Sequence, residues 1–189
     1  MTGETMIEVT SISPNEYKSS VGFAITYGIH PSQFGEFLIG VTGAQSQQAI
    51  CHLWFLDDNL DEALKIMQRE WPGARLVLDQ SQTKQLAETI FAKDQGKLRV
   101  LLKGTEFQVS VWKALLEVPR GSTVVYSEVA GIIGRPKAIR ATAAAVAGNR
   151  IAYVIPCHRV VSKDGSSKYR WLARRKMEIL DDERSDGGR

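Results

Sequence analysis

The chain has 189 residues, 43% hydrophobic and 24% charged, enough to bury one large core or two small ones. It has no run of 18 apolar residues, which excludes an ordinary membrane-spanning helix, and residues 1–8 lack a basic, apolar leader pattern. Net charge is only +3, yet residues 104–189 hold 15 Lys and Arg against nine Asp and Glu, while residues 1–103 hold nine against 12. The basic excess therefore sits in the second half, where it suits either a polyanion-binding face or a solvated surface. With only Cys51 and Cys157 and no leader, reduced thiols in the cytoplasm are expected.

Residues 1–16 read as a flexible lead-in. Residues 35–41 and 49–56 are apolar runs with β-branched and aromatic members, which predict two strands joined by a turn over 42–48. Apolar side chains at Leu60, Ala63, Leu64 and Met67 follow a helical spacing, and Pro72-Gly73 stops that helix. A short strand at 76–78, a helix at 81–92 and a last strand at 98–102 complete an α/β domain, a small mixed sheet with helices, over residues 1–103. Cys51 lies in the second of these strands beside His52. Neighbouring side chains on a strand face opposite ways, so Cys51 reads as structural.

The character changes at residue 104. Thr105 and Gln108 have capping-box spacing and predict a helix to Glu117, with Phe107, Val111, Trp112 and Leu115 inward and Pro119-Arg120-Gly121 ending it. A strand at 123–126 follows. Ser127 is placed to cap a short helix through Ile133, Gly134-Arg135 to turn the chain, and Pro136 to open a longer helix through Ala147. Gly148-Asn149 tolerate the left-handed conformation that closes a helix. The pattern is that of a helix-turn-helix or of two packed core helices. The second helix is rich in alanine, so its backbone can approach a core or a nucleic-acid groove closely. Residues 104–189 are predicted to be mainly α and winged-helix-like.

Chemistry concentrates in residues 154–161, an apolar, strand-like run broken by Pro156-Cys157-His158-Arg159. Proline stiffens the approach to the cysteine. A thiolate is the nucleophilic form, and adjacent His and Arg charge would lower the thiol pKa toward neutrality. The histidine could also take the proton, directly or through water. A small buried hydrophobe is the other reading of such a cysteine.

Ile155-Pro156-Cys157-His158-Arg159-Val160 resembles the active-site signature of the O6-alkylguanine-DNA alkyltransferases. Further segments match that family in order: residues 104–108 with Val111-Trp112, Tyr126-Ser127, Gly134 to Ala138, Arg140-Ala141, Gly148-Asn149, Tyr169-Arg170-Trp171 and Arg175-Lys176. The match covers residues 104–183. It is similar to the C-terminal half of bacterial adaptive-response alkyltransferases, with the phosphotriester-repairing partner domain expected to be absent.

The resemblance implies a monomeric protein acting on double-stranded DNA that carries O6-alkylguanine, with O4-alkylthymine as a further substrate. Cys157 would accept the alkyl group, His158 would act through a water, and Glu183 would orient and charge the imidazole. Tyr126 would sit by the guanine ring and a phosphate. Arg140 would enter the duplex in place of the extruded nucleotide, with Arg135, Lys137 and Ala141 on the same DNA-binding surface. Val160, Tyr169, Arg170 and Lys176 would line the base pocket, and Asn149 would hold the turn before the cysteine. No metal or organic cofactor is implied. A thioether has no easy route back to thiolate, so the protein would act once.

Three positions depart from the family pattern. The loop at 164–169 is one residue shorter and carries Lys168 where glycine is common; Leu172 replaces a frequent glycine; Arg150 replaces a frequent proline. Lysine and leucine resist conformations that glycine adopts, so the pocket loop is expected to be stiffer or differently shaped. Two rival readings stand beside this one. Lesion-recognition proteins that bind without transfer carry tryptophan in place of Cys157. A cysteine hydrolase usually draws its histidine from a distant position.

Overall fold

The computed structural model describes residues 6–44, 47–57, 59–92, 96–164, 166 and 169–186. Two compact units divide the chain, Met1–Lys103 and Gly104–Arg189.

The first unit runs β1 (Met6–Ile12), α1 (Pro14–Ser19), β2 (Ala24–His30), β3 (Phe37–Thr42), β4 (Ala49–Phe55), α2 (Leu60–Glu70), β5 (Arg75–Leu78), α3 (Gln80–Ile90) and β6 (Lys97–Lys103). Its six strands lie in the order β1-β6-β4-β3-β2-β5. The β2-β3 and β3-β4 pairs are antiparallel, whereas β1-β6, β4-β6 and β2-β5 are parallel. The sheet is therefore mixed. The two strands read from the apolar runs are β3 and β4 at its centre, and part of the turn between them, residues 45 and 46, lies outside the described residues. Both strands are buried almost throughout, with Phe37, Leu38, Ile39, Ile50, Leu53 and Phe55 at 1% exposure or less. Burial on both faces removes the alternation assumed for Cys51 and His52, since both are inside.

The lead-in differs from expectation. Residues 1–5 lie outside the described residues, but Met6–Ile12 pairs with β6 along its whole length, from Met6 opposite Lys97 to Ile12 opposite Lys103. Ser13 then opens α1 with a capping box to Glu16. As an edge strand, β1 leaves Met6, Glu8, Thr10 and Ser11 exposed and buries no residue fully, so its apolar signal is too weak to stand out. A compact aromatic group closes one end of this unit. Trp71 stacks on Phe23 at 5.0 Å, Tyr17 meets both rings edge-on, and the Lys103 ammonium lies 5.0 Å and 5.1 Å over Tyr17 and Trp71.

The second unit runs α4 (Glu106–Leu116), β7 (Val124–Val125), α5 (Tyr126–Ile132), α6 (Ile139–Ala147), a single 3-10 turn (Cys157–Arg159), β8 (Val160–Val161) and α7 (Ala173–Asp186). The capping box at Thr105 forms as its spacing required: the hydroxyl accepts from the Gln108 amide at 3.3 Å and Gln108 Oε1 accepts from the Thr105 amide at 3.0 Å. Val111, Trp112 and Leu115 are buried, while Phe107 is only half-buried. Trp112 Nε1 donates to the Ala145 carbonyl at 2.8 Å, which ties α4 to α6. A side chain at residue 104 would meet the Trp112 ring at 2.7 Å, so glycine is needed where the unit begins.

Four local expectations are corrected. α5 begins at Tyr126, one residue before Ser127, because Glu128 reaches back to the Val125 amide at 2.7 Å and does the capping. α6 begins at Ile139 and not at Pro136, because residues 135–138 form a turn closed by the Ala138 amide on the Arg135 carbonyl. Gly148 closes α6 in the right-handed conformation, so no left-handed residue stands there. Finally, the strand-like run at 154–161 is a strand only at Val160–Val161, where it pairs in parallel with β7. Ahead of it the chain turns, with Tyr153 at φ 66°.

Candidate active site

The tight path from residue 149 to 159 is held from inside by one side chain. Asn149 is 2% exposed. Its Oδ1 accepts from the Ile151 amide at 2.9 Å, and its Nδ2 donates to the carbonyls of Ile151 and Ile155 at 3.2 and 3.0 Å. The same amide reaches Cys157 Sγ at 3.2 Å. The asparagine side chain thus does the work that its backbone was expected to do, and it fixes the sulfur as well.

Cys157 is buried, and together with Tyr126, Val146, Ala147, Val160, Tyr169, Arg170 and Trp171 it lines a pocket. Tyr169 Oη is buried there with no hydrogen-bond partner among the described residues. Such a hydroxyl is costly unless a ligand or water satisfies it. Lys176 stands behind this wall, where its ammonium donates to the Val160 carbonyl at 2.6 Å. Arg170 extends its guanidinium to the Ala147 carbonyl at the end of α6, at 2.7 Å.

Behind the thiol lies a second buried group. His158 and Glu183 are 0% and 2% exposed. His158 Nε2 and Glu183 Oε1 are 2.9 Å apart. Arg159 grips the same carboxylate with Nε at 3.0 Å and Nη2 at 2.8 Å, and the Gly121 amide donates to Oε2 at 2.9 Å. Arg159 also donates to the Val118 carbonyl at 2.6 Å. Glycine is favoured at position 121 on two counts. Its φ is +74°, and an added Cβ would lie 3.3 Å from the α7 backbone at Glu183 and Arg184.

Electrostatics follow from burial. Desolvation pushes the Cys157 thiol up to about 11, against the Asn149 hydrogen bond and the nearby charges of Lys176 and Arg170. This reverses the expectation that adjacent His and Arg alone would lower it. Burial likewise pushes His158 down, against its bond to Glu183. For Glu183, burial acts to raise the pKa, but the His158 and Arg159 bonds outweigh it and hold the carboxyl well below the usual range. The resting site is therefore a neutral thiol, a neutral imidazole and a fixed carboxylate. With Nε2–H directed at Glu183, the neutral imidazole leaves Nδ1 as its acceptor, and Nδ1 has no hydrogen-bond partner among the described residues.

The residues proposed from the sequence thus fall into two groups. Cys157, Tyr126, Val160, Tyr169 and Arg170 meet at the pocket, with Asn149, His158, Glu183 and Lys176 packed behind it. Arg135, Lys137, Arg140 and Ala141 are exposed on the turn and the first part of α6 and do not line that pocket. Sequence reasoning passed over four residues. Val146, Ala147 and Trp171 complete the pocket wall, and Arg159 clamps Glu183. Two residues after the cysteine, Arg159 was read only as local positive charge; its contact 24 positions away was hidden.

Of the departures, Lys168 lies outside the described residues. Arg150 is half-buried. Leu172 stands at φ 70°, just ahead of α7, and half its surface is exposed. It adopts the conformation that favours glycine in spite of its side chain. Replacing it by glycine should raise thermal stability by about 0.5–1 kcal/mol, the left-handed penalty less the added chain entropy. A lower melting temperature in Leu172→Gly would show that the exposed side chain makes good its strain.

A buried thiol at a pocket wall, backed by a histidine and a carboxylate, is the arrangement of a class of proteins suited to nucleophilic chemistry at cysteine. Residues 106–185 match the family model described as 6-O-methylguanine DNA methyltransferase, DNA binding domain. The inducible methylated-DNA--protein-cysteine methyltransferase of Bacillus subtilis is 37% identical over 65% of this chain and 72% of its own length. Regulatory protein ada of Salmonella typhimurium is 37% identical over 86% of this chain and 46% of its own length. The chain therefore spans about half the length of that relative. The crystal structure of Mycobacterium tuberculosis OGT in complex with DNA superposes with a TM-score of 0.63 at 30% identity, covering 85% of this chain and 93% of that one. The chain belongs to the methylated-DNA–protein-cysteine methyltransferase family.

Proposed function

We propose that this protein repairs alkylated DNA by moving an alkyl group from O6 of guanine, and from O4 of thymine, onto Cys157 in a single irreversible event. The observation that carries this reading is the placing of Cys157 in a pocket wall with Tyr126, Tyr169 and Trp171, flat aromatic surfaces suited to a base. O6 of a paired guanine lies inside the stack, so the nucleotide must be extruded at a cost of a few kcal/mol.

α5, the turn at Gly134 and α6 serve as a helix-turn-helix. On α6, Arg140, Ala141, Ala144 and Ala147 are exposed, while Thr142, Ala145 and Val146 are buried. The outer face thus offers small side chains to a groove, with Arg140 able to fill the space left by the flipped nucleotide. Arg135 and Lys137 supply phosphate contacts beside it.

In the reaction the Cys157 proton passes by way of water to His158 Nδ1, and Glu183 stabilises the imidazolium that results. The sulfur then attacks the alkyl carbon, forming the S–C bond as the C–O6 bond breaks. The electron pair of that bond goes to guanine O6, and a proton returns to the base as it leaves. Tyr126, beside Cys157 in the pocket, supplies a hydroxyl to the departing oxygen. The product is a thioether, so each molecule acts once. The chain works as a monomer in the cytoplasm.

Incubation with a duplex carrying one O6-methylguanine should add one methyl to Cys157, found by peptide mass spectrometry. A folded, DNA-binding protein that leaves Cys157 unmodified would overturn the reading. Arg140→Ala should slow transfer from the duplex at least tenfold, while transfer from free O6-benzylguanine changes less than twofold. Equal losses on both substrates would remove Arg140 from extrusion.

A further inference from the structure

Tyr153 stands apart from the signature around it. It is 7% exposed and one of only two non-glycine residues with positive φ among the described residues. An aromatic residue resists this conformation, so the surrounding fold must hold it there. What the conformation achieves is visible at the ring. Tyr153 lies nearly parallel to the His158 imidazole, with centroids 6.1 Å apart and planes 17° from each other. Its phenol hydrogen-bonds Arg120, in the turn whose next residue, Gly121, donates to Glu183. Tyr153 therefore meets the relay directly through its ring, and only indirectly through its hydroxyl, by way of Arg120 and the neighbouring Gly121 amide.

We propose that Tyr153 is a positioning residue for the proton relay: its ring face holds the His158 imidazole in plane with Glu183 and favours the imidazolium form. This rests on the reading of Cys157 and His158 as nucleophile and proton acceptor. An aromatic face attracts a cation, and more so where water is excluded. His158 is fully buried, so its charged form needs compensation from every side. The groups that face it are Glu183, which favours the charge, and Arg159 and Lys176, which oppose it. Glu183 is shared with Arg159 and is only partly available to the imidazolium. The ring of Tyr153 supplies attraction on the face that the carboxylate leaves uncovered.

The site holds two exchangeable protons between Cys157 and His158. At neutral pH the reactive species is the thiolate paired with imidazolium. At high pH the thiolate forms without imidazolium. A group that stabilises imidazolium therefore raises sulfur reactivity at neutral pH and leaves the high-pH limit unchanged.

The test is the rate of Cys157 alkylation by iodoacetamide from pH 6 to pH 11, scored on the Cys157 peptide so that Cys51 does not contribute. Wild type, Tyr153→Phe and Tyr153→Leu are compared, each shown to be folded by its thermal melt. Tyr153→Leu should react three- to tenfold more slowly at pH 7 and converge on wild type near pH 11. Tyr153→Phe, which keeps the ring and loses the bond to Arg120, should stay within twofold throughout. A leucine profile parallel to wild type overturns the proposal, as does a phenylalanine variant as impaired as the leucine one. If leucine does not fold, Tyr153→Met takes its place as the variant without a ring, and the same two outcomes decide. Methyl transfer from duplex is measured on the same samples. Its failure in a wild-type protein with normal iodoacetamide reactivity would count against the repair reading and not against the role of Tyr153.

Discussion

Cys157→Ser is expected to abolish alkyl transfer, to below about one part in a thousand of wild type, while DNA binding persists. The scale is that of removing any covalent nucleophile. The physical reason is specific to this site. Burial already holds the more acidic thiol at about 11, so a hydroxyl in the same place has no accessible anion. Serine is nearly isosteric, and its hydroxyl can still accept from Asn149 Nδ2, so the path from residue 149 to 159 should survive. The exposed surface of α6 is untouched by the change. The check is quantitative. Tritiated methyl transfer and a DNA-binding titration are run on one preparation. Transfer retained by serine would move the acceptor elsewhere. Cys51 is the other thiol, but burial raises its pKa and its Sγ donates to the Gly40 carbonyl inside the sheet.

Glu183→Gln is expected to cost both stability and activity. One carboxylate receives Arg159 twice, His158 and the Gly121 amide. Glutamine has one acceptor oxygen and no charge, so the buried Arg159 loses its counter-ion. Removing one partner of a buried pair typically costs about 3–5 kcal/mol. Urea denaturation measures it. The double variant Glu183→Gln with Arg159→Met should recover a large part of that stability and none of the transfer, because His158 still lacks its carboxylate. Full recovery of transfer would remove Glu183 from the relay.

The pH dependence follows from the same groups. The folded pKa of Glu183 lies below its ordinary value of 4.5. The stability it contributes is complete above that pH and is lost as pH falls toward the folded value. His158 is also lowered, from an ordinary 6.5, so the unfolded chain takes up its proton first and stability begins to fall below that pH. Wild type should therefore lose stability in two stages on acidification. Glu183→Gln should keep the first stage and lose the second. A variant with an unchanged limb below pH 4.5 would place that carboxylate's contribution elsewhere.

Local sequence was a good guide wherever the determining interactions were short. The Thr105–Gln108 box, the alanine-rich stretch that became α6, and the two central strands are each set by neighbours a few residues away, through capping geometry and apolar periodicity. Where the chain is at an edge or bends, such signals failed. β1 was hidden because an edge strand buries little, and α6 was begun too early because Pro136 suits a turn as well as a helix start.

Residue order by itself determined the family and named the thiol, since the Pro-Cys-His-Arg core and its ordered companions are a linear pattern. Only the tertiary structure decided how that thiol is held. Asn149 reaches forward across eight residues to the sulfur, Arg159 and His158 share a carboxylate about 25 residues away, and Tyr153 turns left-handed to lie against the imidazole. The electrostatic outcome also had to wait for the fold. Adjacent positive residues predict an acidic thiol, but the sign at Cys157 is set by desolvation, and desolvation depends on what packs around a group and not on what stands next to it in the chain.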